Sequence, residues 1–83
     1  MPHFYFHILN GSGETRDEEG SELPNLESAR LQAVTGIRSI LSEEIGRGML
    51  DLGGVVRITD QRDRIMLDVP FLTAVELRNV SSC

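Results

Sequence analysis

The chain has 83 residues, 40% of them hydrophobic and 25% charged, which suits one small globular domain and excludes disordered and membrane-embedded classes. Thirteen acidic residues face eight arginines and no lysine, for a net charge of −5. That balance argues against nucleic-acid binding, because affinity for phosphate backbones comes largely from cations that displace counterions.

His3 to Leu9 alternates and is rich in aromatic and branched side chains, which predicts a strand over 3–9. Phe4, Phe6 and Ile8 share one face, expected to meet a helix, and His3, Tyr5, His7 and Leu9 share the other. Asn10-Gly11-Ser12-Gly13 predicts a tight hairpin turn, followed by a short polar edge strand over 14–17. Asp17-Glu18-Glu19-Gly20 breaks that strand, and Leu23-Pro24 leads into the main helix.

The helix is predicted over 26–45, where Leu26, Ala29, Ala33, Val34, Ile37, Ile40, Leu41 and Ile45 recur at steps of three and four. Asn25 is the expected N-cap, Glu27 sits near the positive end of the helix dipole, and Gly46 and Gly48 end the helix beside Arg47. Gly36 costs about 1 kcal/mol relative to alanine in mid-helix, so it is expected to mark a close backbone approach. A connection over 49–54, with Leu52 turned inward, leads to strands over 55–59 and 65–69 around the turn Asp60-Gln61-Arg62-Asp63. Val56 and Ile58 oppose Arg57 and Thr59; Ile65, Leu67 and Val69 oppose Met66 and Asp68. Pro70 ends the last strand, and Thr73 is expected to start a short helix at the head of a tail over 73–83. The predicted fold is α+β, a single domain with a four-stranded antiparallel sheet (hairpin, helix, hairpin) and one long helix on one face.

Several of these motifs together are informative. Tyr5, Phe6 and His7, Gly11, Asp17-x-x-Gly20, Leu23-Pro24 and Leu26-x-x-Ala29-x-x-x-Ala33 resemble a family of short bacterial proteins described only as a domain of unknown function. Asp51-Leu-x-Gly54, Thr59-Asp60, Pro70-Phe71 and Ala74-Val75 extend the resemblance over nearly the whole chain. It implies one compact domain and brings no catalytic residues. Asp63 departs from the glycine or small residue of similar sequences, but aspartate tolerates left-handed backbone geometry, so the hairpin is expected to form. A looser likeness, of layout alone around Leu23 to Ala33, is to antitoxins whose partial ribonuclease-H-like domain joins a sheet to an amphipathic helix.

Specific chemistries find little support. His3 and His7 share a strand face but lie roughly 13 Å apart along the backbone, too far to chelate one zinc ion. A structural hydrogen bond is the better use of His7, with Arg16 opposite it if the turn centres on Gly11-Ser12. A calcium loop aligned on Gly20 would place Thr15, Asp17 and Glu19 as ligands, but its closing position falls on Leu26. Gly11-Ser12-Gly13 leads into a strand rather than a helix, so it is no phosphate loop. Cys83 is a lone cysteine, and no serine sits in a recognisable nucleophile elbow. Glu43 and Glu44 are expected on a solvated helix face. Asp60, Asp63 and Asp68 largely cancel the field of Arg57, Arg62 and Arg64.

The expected function is therefore a non-enzymatic interaction or regulatory module, with no metal or cofactor and no nucleic-acid or membrane partner. It is expected to be cytoplasmic, since no spanning run or secretory leader is seen. The expected surface comprises Tyr5, His7, Leu9, Arg16 and Asp17, with Met66 nearby, and its simplest occupant is a second copy forming a homodimer. Two alternatives stand beside it: a small-ligand or enzymatic site around His7, Arg16 and Asp17, and an antitoxin-like protein that neutralises a partner.

Overall fold

The structure, a computed structural model, describes residues 2–11 and 13–76. Strands β1 (His3–Asn10), β2 (Gly13–Thr15) and β3 (Ser21–Glu22) precede helix α1 (Leu26–Gly46). Strands β4 (Val55–Thr59) and β5 (Ile65–Pro70) follow, then a 3-10 turn, Phe71–Ala74. The sheet is antiparallel in the order β2-β1-β4-β5, with β3 pairing beside the start of β1. The fold is the α+β arrangement expected, with one strand more. The returning strand stops at Thr15, and the chain leaves the sheet at Arg16 and rejoins it at Ser21.

Asn25 caps α1 by accepting the Ser28 amide at 2.8 Å. The other end closes as a Schellman motif: Gly48, at φ 80°, donates to the Ile45 carbonyl, and Met49 donates to that of Glu44. Ala29, Ala33, Ile37 and Leu41 are the buried stripe, packed with Phe4, Val56, Ile58, Val69 and Phe71. The helix runs mainly over β4, β5 and the 3-10 turn rather than over β1. Of the β1 face expected beneath it, only Phe4 is buried; Phe6 and Ile8 are half-buried.

Four further expectations need correction. Gly36 marks no close approach, since a Cβ there would meet nothing within 4 Å. Gly36→Ala is accordingly expected to stabilise the fold by about 0.5–1 kcal/mol, read as a raised thermal midpoint. Glu44 is not solvated: it is buried, and its carboxylate accepts the Asp51 amide at 3.0 Å, tying the helix end to the following loop. The terminal turn begins at Phe71, not Thr73, whose hydroxyl donates back to the Pro70 carbonyl. Val75 is already extended, at φ −134° and ψ 155°, so that expected helix does not continue past Ala74; residues 77–83, with Arg78 and Cys83, lie outside the described residues.

The fourth correction concerns β5. Leu67 and Val69 face the helix as expected, but a bulge opposite Ile58 and Thr59 pairs Ile65 with Thr59 and turns Ile65 to the helix-free face. Ile65 is 58% exposed there. In the turn before it, Asp63 takes φ 63°, the left-handed geometry expected of it. Asp60 organises the same turn by accepting the Arg62 and Arg64 amides, and the Arg64 amide in particular holds its carboxyl below the usual range. Among the described residues, no helix is long and apolar enough to cross a membrane.

Candidate functional site

Residues paired across an antiparallel ladder project from the same face. The register therefore lays three rows across the helix-free face: Tyr5, Thr59 and Ile65; His7, Arg57 and Asp68; Leu9, Val55 and Pro70. Arg57 and Asp68 form a two-point ion pair at 2.9 and 3.2 Å, so the middle row is internally neutralised.

His7 projects from this face yet is only 3% exposed. The Asp17 amide donates to its Nδ1 at 3.0 Å, and its Nε2 lies 3.0 Å from the Thr59 hydroxyl. An Nδ1 that accepts an amide proton cannot carry its own, so the ring here is the neutral Nε2–H form, donating to Thr59. The expected structural hydrogen bond of His7 is present, but its partner across the turn is the Asp17 amide rather than Arg16. The hairpin has the expected register, with Ile8 paired with Thr15 and Asn10 with Gly13.

Asp17 explains how the chain crosses the gap between β2 and β3. Its Oδ2 accepts the Phe6 amide at 3.1 Å, satisfying a β1 donor that no neighbouring strand reaches. Its Oδ1 accepts the amides of Glu19 and Gly20. Partial burial works against the charged carboxylate, but the Gly20, Phe6 and Glu19 amides outweigh it and hold the group below its usual range. Gly20 is required here for two reasons. Its φ is 68°, and a Cβ would lie 2.7 Å from the Phe4 carbonyl oxygen and from the His3 ring. His3 donates from Nε2 to the Glu19 carbonyl at 2.7 Å, and Tyr5 lies between the two histidines, parallel to the His7 ring at 6.4 Å.

A shallow cleft of about 310 Å³ results, lined by Tyr5, His7, Arg16, Asp17, Thr59 and Asp63 among others. Four of the five expected surface residues thus come together. Leu9 does not; it stands at the far end of the face, opposite Val55 and Glu14. Arg16 reaches Glu14 and Asp63, each at 3.4 Å and well exposed, so each pair contributes little. Thr59 and Asp63 were not expected in the site. Strand period places Thr59 on the face opposite Val56 and Ile58, as expected, but nothing local marks it as the partner of His7.

Chemically the cleft is already occupied by its own backbone. The Asp17 carboxylate is taken up by three amides, so it offers no ready base or calcium ligand. Among the described residues, no three His, Cys, Asp or Glu side chains converge as a metal site would require.

The model of the family described as "Domain of unknown function (DUF6894)" matches residues 3–73. The chain belongs to that family. The matched span runs from the start of β1 through the Asp17–Gly20 crossing into the terminal 3-10 turn, so the motifs that carried the resemblance acquire a physical role. Asp17-x-x-Gly20 is the crossing itself. In Asp51-Leu-x-Gly54, the Asp51 carboxylate accepts the amides of Gly53 and Gly11, and Gly54 makes room for the Phe71 ring. Neither the curated proteins nor the solved structures compared with the chain gave a match.

Proposed function

We propose that this domain is a non-enzymatic interaction module that self-associates through its helix-free sheet face. The observation that carries this reading is the surface chemistry of that face. Two apolar rows, Tyr5 with Ile65 and Leu9 with Val55 and Pro70, flank an Arg57–Asp68 pair that cancels its own charge. Such a face offers a second copy apolar contact around a neutralised centre, and an isologous pair is its simplest use.

Size sets the strength. Three strands about 4.8 Å apart and five residues long at about 3.4 Å each present roughly 250 Å² of flat area. Stable interfaces bury about 800 Å² per partner, so the association is weak and concentration-dependent. Tyr5→Glu and Ile65→Glu are each expected to abolish it, as measured by sedimentation equilibrium with circular dichroism confirming the fold. Loss of self-association in neither variant would refute this use of the face.

The small-ligand or enzymatic reading has the cleft in its favour, at the lower end of ligand-site sizes. Against it, His7 and Asp17 are both engaged in hydrogen bonds that hold β1 to the loop. A partner-neutralising role would use the same module against another protein.

A further inference from the structure

We propose that a second surface, the groove between α1 and the Asp17–Ser21 loop, binds a basic amphipathic helix of a partner protein. It lies on the helix side of the sheet, and only its rim residues Arg16, Asp17 and Glu18 also border the cleft on the self-associating face. The groove encloses about 610 Å³, and Phe6, Ile8, Ala33 and Ile40 line its apolar floor. It exists because α1 packs over β4 and β5 and leaves the inner face of β1 partly uncovered.

Charge selects the partner. Glu18 and Glu19 stand exposed on the rim, and neither carboxylate has a hydrogen bond or ion pair among the described residues. Around them the chain is strongly acidic, with Arg16 alone opposing six carboxylates between Glu14 and Glu27. A second copy of this chain, at net charge −5, would bring its own acids against them. A cationic partner would meet no such repulsion.

Backbone geometry selects a helix over a strand. The edge of β1 beside the groove is already taken by β2 and β3, and Asp17 accepts the Phe6 amide between them. Strand addition therefore finds no free donors there. The wall from Gln32 to Ile40 rises about 12 Å, matching roughly two turns of an apolar stripe. Open space over Gly36 lets that stripe approach the backbone of α1 closely.

The test titrates the full chain with a designed helix of about five turns, leucines on one stripe and lysines elsewhere, followed by amide NMR shifts. A scrambled peptide of the same composition is the control. Shifts are expected at Phe6, Ile8, Gly36, Ile40, Glu18 and Glu19, with the scrambled peptide binding at least about tenfold more weakly. Gly36→Leu, which fills the groove at a solvent-open helix position, is expected to weaken binding by a similar factor. Should that variant not fold, Glu18→Gln with Glu19→Gln serves instead, with weaker binding and a shallower salt dependence expected. Equal binding of the scrambled peptide, wild-type affinity in the groove variants, shifts confined to the Tyr5–Thr59–Ile65 row, or no binding at all would each overturn the proposal.

Discussion

Phe71→Ala is expected to cost about 3–5 kcal/mol, the largest effect of any single truncation in this domain. Phe71 is fully buried, and its amide donates to the Gly54 carbonyl at 2.8 Å. Its ring lies 2.7 Å from where a Gly54 Cβ would stand, so the loop before β4 and the 3-10 turn are fitted to each other. A domain of this size has a total stability of roughly 4–12 kcal/mol, so the truncation removes much of it. Urea unfolding should show the midpoint fall sharply or the cooperative transition disappear. Gly54→Ala should also destabilise, because a buried ring cannot swing away from the new methyl group. In the Phe71→Ala background the same glycine substitution should cost far less, since the clash has gone. Equal cost in both backgrounds would contradict the contact.

Asp17→Ala is expected to cost about 2–3 kcal/mol, or roughly 10–15 °C in thermal midpoint. The substitution strips the acceptor from the Phe6, Glu19 and Gly20 amides together and frees the loop that covers His7. The pH dependence follows from the same bonds. The carboxyl of Asp17 titrates lower in the folded protein than in the unfolded chain, so its contribution is complete above the ordinary aspartate range. It is lost as the pH falls below about 4 and through the depressed folded value. Asp60 is shifted in the same direction and acts in the same window. Wild-type thermal midpoints should therefore drop on acidification through that range, and Asp17→Asn should flatten the slope. An unchanged slope in Asp17→Asn would mean that the amide cradle contributes nothing.

The parts of the fold legible in the sequence are those set by local chemistry. Apolar spacing marked α1, Asn25 marked its start and Gly48 its close, and alternation marked β1 and β4. What escaped was set by tertiary structure. Strand β3 is two residues, Ser21 and Glu22, with no pattern of its own; it forms because Asp17 carries the chain back to β1. Ile65 reads as a core residue by strict alternation, and a single bulged residue reverses its face. Gly36 was misread because propensity reports the cost of a glycine and not the space beside it.

The candidate site divides in the same way. Tyr5, His7, Arg16 and Asp17 are brought together by the hairpin register, in which Asn10 pairs with Gly13 and Ile8 with Thr15. Period alone placed His7 on an open face; its burial comes from the Asp17 backbone and from Thr59, 52 positions away in the chain. Long-range contacts of that kind leave no trace in local spacing.

Self-association of the wild-type chain is most directly read as its native mass, by light scattering over a dilution series. A mass approaching twice the 9.2 kDa of one chain at high concentration, falling to the single-chain value on dilution, is the result expected of a weak pair formed through the helix-free face. A mass of one chain throughout the series would contradict it.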